Sequence, residues 1–290
     1  MSTEPPARPA ARVTTQTFRD KKSRGEKITM LTAYDYGTAA AVDRAGIDSI
    51  LVGDSLGMVV LGYESTLPVT MDDMLHHCRA VARGVQRALL IGDMPFMSYQ
   101  AATADAVRNA GRFLQEAGMD AVKLEGGRER VEAVAAIVSA GIPVVGHLGL
   151  TPQSVNQLGG FRTQGRSPEA AQRLIEDARL LQQAGCFALV LESIPTRLGA
   201  LISRKLDIPT IGIGAGPDCD GQVLVSHDLL GMFDRFTPRF VKQYAQFHQL
   251  MGQAFAAFAA DVLGGEFPAQ EHVFNMSDDA WEALQQALDS

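Results

Sequence analysis

The sequence predicts a (β/α)8 TIM barrel folded as a single domain. Eight short apolar, β-rich runs alternate with longer helical patterns, and several helical patterns end in Ala-Gly shortly before the next apolar run. Ionisable residues gather at the ends of those runs, where a parallel barrel builds its active site. A chain of 290 residues suits one such barrel plus tails better than two domains.

Residues 1–12 are rich in Pro and Ala but lack the apolar core of a signal peptide, so they are expected to form a disordered tail. The domain is then expected to occupy 13–290. Candidate strands lie at 28–33, 49–52, 89–91, 121–124, 143–146, 188–191, 210–213 and 223–225. Helical patterns fill 39–45, 71–87, 103–117, 128–140, 168–184 and 196–205. A helical extension at 238–263, an irregular segment and a short helix near 280–288 close the chain. Gly46, Gly118, Gly141 and Gly185 follow helical patterns, where glycine adopts the left-handed cap at little cost. The strands are almost continuously apolar, as in a parallel sheet buried on both faces. An open doubly wound sheet is the alternative. Two long loops, 53–70 and 149–167, follow the second and fifth strands and read as lids.

Composition narrows the partners. With a formal charge of -7, the chain offers no basic face for nucleic acid and no polybasic membrane anchor. No apolar run is long enough to span a bilayer. Cys78, Cys186 and Cys219 are widely spaced with no CxxC, against a disulfide framework or zinc site. A cytoplasmic location is expected.

The chemistry collects at strand ends. The second strand leads into Asp54-Ser55 and the third into Asp93. The fourth carries Lys123 and Glu125, which alternation turns to the same side. The fifth ends near His147 and the sixth at Glu192. Four carboxylates against Lys123 and His147 must either shift their pKa values or recruit a cation. Oxygen ligands favour Mg2+, which takes one or two protein carboxylates, here Asp54 and Asp93. Singly, each residue has a plainer reading. An aspartate after a strand often caps a helix, Glu125 can simply pair with Lys123, and a lone histidine is commonly structural. Glu192 closes the apolar run 188–191, where burying a carboxylate is costly without a purpose. The glycine run 212–216 is not a dinucleotide fingerprint, because its third glycine comes one position early and Pro217-Asp218 follows. It reads as a tight turn permitting close approach, in preference to a phosphate cup.

The segments 32–35 (TAYD), 52–58 (VGDSLGM), 92–99 (GDMPFMSY), 122–126 (VKLEG), 146–153 (GHLGLTPQ), 191–192 (LE), 211–216 (IGIGAG) and 220–222 (DGQ) together resemble the ketopantoate hydroxymethyltransferase family. The resemblance runs from about Thr14 to Phe274. VGDSLGM and GDMPFMSY are specific in combination, whereas the glycine run alone is weak. Ser193-Ile194 departs from the cysteine or alanine, then valine, often found after the glutamate.

The resemblance implies a Mg2+-dependent barrel of the phosphoenolpyruvate/pyruvate type. Such a barrel moves a one-carbon unit from 5,10-methylenetetrahydrofolate to 3-methyl-2-oxobutanoate, giving 2-dehydropantoate on the way to pantothenate and coenzyme A. It implies that Asp54, Asp93 and Glu125 attend the metal, that Asp54, Ser55, Asp93 and Lys123 contact substrate, and that Glu192 accepts the proton. His147 is expected to orient substrate or cofactor. A homo-oligomer, commonly a decamer, is implied as well. The rivals are a C–C lyase or mutase of the same superfamily, which usually carries a cysteine loop, and a non-catalytic keto-acid-binding barrel.

Overall fold

The computed structural model describes residues 11–289, so most of the tail expected at 1–12 lies outside the described residues. The strands are β1 (Ile28–Thr32), β2 (Ser49–Val52), β3 (Leu89–Asp93), β4 (Ala121–Glu125), β5 (Val144–Gly149), β6 (Ala188–Glu192), β7 (Thr210–Ile213) and β8 (Gly221–Leu224). They pair in parallel in chain order, and β8 returns to β1. Closure of the barrel removes the open-sheet alternative.

The helices are α1 (Thr15–Arg24), α2 (Tyr36–Arg44), α3 (Leu56–Val59), α4 (Met71–Gly84), α5 (Thr103–Ala117), α6 (Val131–Ser139), α7 (Val155–Leu158), α8 (Pro168–Gln183), α9 (Thr196–Lys205), α10 (Ser226–Leu229), α11 (Phe247–Gly264) and α12 (Asp278–Leu288). Local chemistry sets their ends. Thr70 and Asp73 form a reciprocal capping box at the start of α4. Ser167 caps α8, with Pro168 in its first turn. Gly118, at φ 68°, closes α5 in the left-handed region.

Two helical expectations need correction. The pattern at 71–87 stops at Gly84, because Val85 is extended and Gln86 N donates to Asp43 Oδ2 at 2.9 Å. The stretch at 238–263 becomes helical only at Phe247. Tyr244 N, ahead of the helix, and Phe247 N, at its first residue, donate to the carbonyls of Leu229 and Leu230 at 2.8 and 3.0 Å, so the segment folds back on the end of α10 instead of winding on itself.

Alternation sorts each strand between two packed layers. Ile50, Val52, Leu90, Val122, Leu124, Leu189 and Leu191 point outward to the helices. Met30, Leu51, Ile91, Ala121, Val145, Val190 and Val223 fill the barrel interior. The inward parity continues to Asp93, Lys123, Glu125, His147 and Glu192, so the strand period itself aims these groups into the barrel mouth.

The opposite end is closed by α1, which the sequence reading did not anticipate. Phe18 is fully buried there and meets Phe187 edge-on at 5.8 Å. Lys21–Asp48 and Lys22–Asp220 ion pairs, at 2.6 and 2.7 Å, hold the helix to the barrel floor. Phe18→Ala should lower the unfolding free energy by about 3–5 kcal/mol through lost burial and a cavity beneath the strands. Chemical denaturation checks this, and a change below about 1 kcal/mol would show that α1 is not part of the core.

Candidate active site

The polar residues predicted from the strand ends converge on one cavity of about 610 Å3 at the C-terminal mouth of the barrel. Asp54, Ser55, Asp93, Lys123, Glu125, His147 and Glu192 all line it. Register explains the meeting. Asp93 pairs with Lys123 across β3–β4, Glu125 with His147 across β4–β5, and Gly149 with Glu192 across β5–β6.

The groups form a connected network. Asp54 N donates to Asp93 Oδ2 at 3.1 Å. Lys123 Nζ lies 2.7 Å from Asp93 Oδ1 and 3.3 Å from His147 Nδ1. His147 Nδ1 is 3.5 Å from Glu125 Oε1, and its Nε2, buried without a well-aligned hydrogen bond, is 3.2 Å from Glu192 Oε2. Ser55 Oγ is 2.8 Å from Tyr34 Oη. Asp54, Asp93, Lys123, Glu125 and His147 are each at most 4% exposed, whereas the Glu192 side chain retains 15% exposure. Glu192 can therefore meet a ligand in the cavity while the others hold the wall.

Burial and electrostatics act together on these groups. Burial, followed by repulsion from Asp93 and Glu125, pushes the Asp54 carboxyl well above the usual range. Burial also raises Asp93, against the pull of Lys123 and with added repulsion from Glu125. At Lys123, burial opposes the charge, but Asp93, Glu125 and Asp54 outweigh it and keep the ammonium protonated. Burial and Lys123 likewise oppose an imidazolium at His147, yet Glu125 and Glu192 prevail and push it up to about 9.

Two residues that the sequence reading quoted without assigning a role support this network. Gln153 follows Pro152 at the start of the lid after β5. Its Nε2 donates to Asp54 Oδ2 and to Met94 O, both at 2.9 Å, and its backbone N–H donates to Glu125 Oε2 at 3.0 Å. Tyr99 Oη donates to Gln153 Oε1 at 2.6 Å and accepts from Glu125 N at 3.1 Å. Their positions, four residues beyond the end of β5 and six beyond the end of β3, were the available signal.

The backbone around Glu192 is also constrained. Ser193 has φ 47°, a left-handed conformation that a non-glycine residue adopts only under local compulsion. Glu192 O accepts from Leu150 N at 2.8 Å, and Ser193 O accepts from Gln164 N at 3.0 Å. Gly149 is required beside them, because a Cβ there would collide with the Glu192 carbonyl. The glycine run behaves as the tight-turn reading expects. Gly214 has φ 65°, and the Phe240 ring packs where its side chain would be.

The donor set suits a hard divalent cation. Six acidic side chains, Asp54, Glu64, Asp93, Glu125, Glu192 and Asp228, share the cavity with Lys123, His147 and Arg239, leaving a formal excess of negative charge. Asp93 Oδ1 is buried without a well-aligned hydrogen bond, even though Lys123 lies close by. Among the described residues, no three His, Cys, Asp or Glu side chains form a ready cage. Mg2+ does not require one, because it keeps several positions for water or substrate.

Asp228, which follows β8, also lines the cavity and is 9% exposed. Burial pushes its carboxyl up to about 6. The folded protein thus holds this proton over a window from about 4 to about 6, and stability falls as pH rises through it. Asp228→Asn should therefore be more stable than the parent at about pH 7.5, by on the order of 1 kcal/mol after allowance for the solvent-facing cavity. The two should converge near pH 4. Thermal denaturation at both pH values decides this, and a variant less stable at the higher pH contradicts it.

Comparison with known proteins agrees with this architecture. The family model described as ketopantoate hydroxymethyltransferase matches residues 12–270. The 3-methyl-2-oxobutanoate hydroxymethyltransferase of Syntrophomonas wolfei is 57% identical over 274 residues, covering 94% of this chain and 99% of its own. That of Moorella thermoacetica is 60% identical over 264 residues, covering 91% and 98%. Among solved structures, phosphonopyruvate hydrolase shares the fold with a TM-score of 0.60 at 14% identity, covering 94% of this chain and 95% of its own. A 2,3-dimethylmalate lyase does so at 0.55 and 13% identity, covering 94% and 98%. The extent of the family match and the identity to these relatives place the chain in the ketopantoate hydroxymethyltransferase family.

Proposed function

We propose that this enzyme transfers a hydroxymethyl group from 5,10-methylenetetrahydrofolate to 3-methyl-2-oxobutanoate, giving 2-dehydropantoate for pantothenate and coenzyme A synthesis, with Mg2+ as its resident metal. The observation that carries this reading is the division of labour among the carboxylates. A buried Asp54–Asp93 pair faces a ligand space from one side, and the partly exposed Glu192 enters the same space from another.

Asp54 and Asp93 would hold the metal, with Glu125 beside them. When bound, the metal supplies Lewis acidity that makes hydrogens next to a 2-oxo group easier to remove. Ser55 and Lys123 bind the acid, and the fixed ammonium of Lys123 stabilises negative charge developing on oxygen. Glu192 takes the proton from C3 of the keto acid. His147 Nε2, 3.2 Å from Glu192 Oε2, orients that carboxylate. The network around Gln153 holds Asp54 and Glu125 in place. The loops after β2 and β5 restrict water while the carbon nucleophile exists. Against a cysteine-dependent lyase, all three cysteines are buried and none lines the cavity.

A product assay with keto acid, methylenetetrahydrofolate and Mg2+ should yield 2-dehydropantoate, and exhaustive chelation should abolish it. Full activity under chelation rejects the metal. Exchange of the C3 hydrogen with solvent isolates the first half of the reaction. Glu192→Gln should slow this exchange by about 100-fold or more while still binding metal and keto acid. Exchange at the parental rate removes Glu192 as the base. Asp54→Asn and Asp93→Asn should weaken metal and keto-acid binding together.

The same reading includes a cytoplasmic homo-oligomer, a decamer by family resemblance. No described helix is long and apolar enough to cross a membrane. On α11, Phe255, Phe258 and Leu263 are 70%, 58% and 89% exposed, an apolar load that a neighbouring subunit would cover. Light scattering should give a multiple of 31.1 kDa. Phe255→Asp combined with Phe258→Asp should reduce it, and a parental monomer at micromolar concentration rejects the oligomer.

A further inference from the structure

The cavity of about 610 Å3 is much larger than 3-methyl-2-oxobutanoate, which has only a handful of non-hydrogen atoms. Its two halves differ in chemistry. The arc from β2 to β6 carries the aspartates, Lys123, Glu125, His147 and Glu192. The arc through β7 and β8 presents Ile213, Val223 and Val225.

Aromatic rings line the cavity from above. Phe233, Phe236 and Phe240 come from the segment that folds back after α10, and Phe161 comes from the lid after β5. Phe233 and Phe236 meet edge-to-face at 5.5 Å. Phe240 rests on Gly214, where a Cβ would come within 2.8 Å of the ring. Such a wall suits a flat ring system.

A carboxylate interrupts it. Asp228 is only 9% exposed, and among the described residues no donor or cation reaches its carboxylate. A largely buried carboxylate that no protein donor satisfies and whose oxygens open onto a ligand cavity points to a ligand that supplies donors. Two adjacent N–H donors on the edge of a flat heterocycle would satisfy both oxygens at once. A pterin has that edge in its ring N–H and neighbouring 2-amino group.

We propose that this half of the cavity is the folate subsite: the pterin stacks on the phenylalanine wall, and the Asp228 carboxylate accepts from the pterin N–H and 2-amino group. The benzoylglutamate tail then runs outward past Arg239, which lines the cavity mouth. This assignment rests on methylenetetrahydrofolate being the donor. It places the one-carbon unit between the pterin on the β7–β8 side and the keto acid on the β2–β6 side.

The test is calorimetric titration of the full-length enzyme, with Mg2+ and keto acid present, using tetrahydrofolate and an analogue lacking the 2-amino group. The parent should bind the analogue at least about tenfold more weakly than tetrahydrofolate, the loss of a charge-assisted pair. Asp228→Asn should lose a similar factor for tetrahydrofolate and discriminate little between the two compounds, the signature of direct coupling. Phe240→Ala should weaken both compounds several-fold without changing their ratio. Titration with the keto acid itself controls for folding. Parental affinity in Asp228→Asn, or undiminished discrimination by that variant, overturns the Asp228 assignment and leaves the donor in place. Failure of the parent enzyme to bind tetrahydrofolate at all overturns the donor as well.

Discussion

Asp54 and Asp93 stand side by side at the ends of neighbouring strands, joined by a hydrogen bond from the Asp54 amide to Asp93 Oδ2. Parallel pairing in register forces this proximity, and burial makes it unfavourable for two free carboxylates. Much of the rim can be understood as a response to that constraint. Lys123 offsets the charge from β4, His147 bridges Glu125 and Glu192, and Gln153 supplies donors to Asp54 and Glu125. A bound divalent cation would relieve what the side chains leave uncompensated. The strain is tolerable because the rest of the barrel is well packed, from the Phe18 plug to the outward layer of aliphatic residues.

The fold was legible because its determinants are local and periodic. β2 and β7 fall within the predicted bounds because apolar runs bracketed by glycine or proline mark both ends, and α5 and α9 do so with Gly118 ending the first and Pro195 opening the second. The strand ends were legible for a related reason. A carboxylate closing an apolar run, as Glu192 does, contradicts the pattern that precedes it. Elements defined by distant partners were harder to read. α1 buries Phe18 as its core residue, so its sequence looks polar until the barrel floor is in place. The segment 238–246 reads as helical, but Tyr244 N and, at the start of α11, Phe247 N pair with the carbonyls of Leu229 and Leu230 at the end of α10.

The same distinction applies within the site. Asp54, Asp93, Lys123, Glu125, His147 and Glu192 could be read from strand ends. Gln153 and Tyr99 lie close enough beyond strand ends to be suspected, but the roles of these two and of Asp228 were not legible, since each lies on a turn or short helix whose direction is set by tertiary contacts. Asp228 is the clearest case. In sequence it belongs to an ordinary Ser-His-Asp start of a four-residue helix, and only the fold turns it toward the cavity.

Glu192 sits where the two chemistries of the barrel mouth meet. On one side, β5 presents His147, which contacts the Glu192 carboxylate. On the other, β7 contributes Ile213 and the glycine turn on which Phe240 rests. In the proposed reaction, a base must reach C3 of an acid whose carboxylate and 2-oxo oxygens are held in the polar half, yet leave that carbon open toward the one-carbon donor in the apolar half. A strand at the boundary meets both demands, and a more central position in either half would sacrifice one. The left-handed Ser193 and the close approach of Gly149 hold the strand end at this boundary, so strain in the backbone serves the position of one carboxylate.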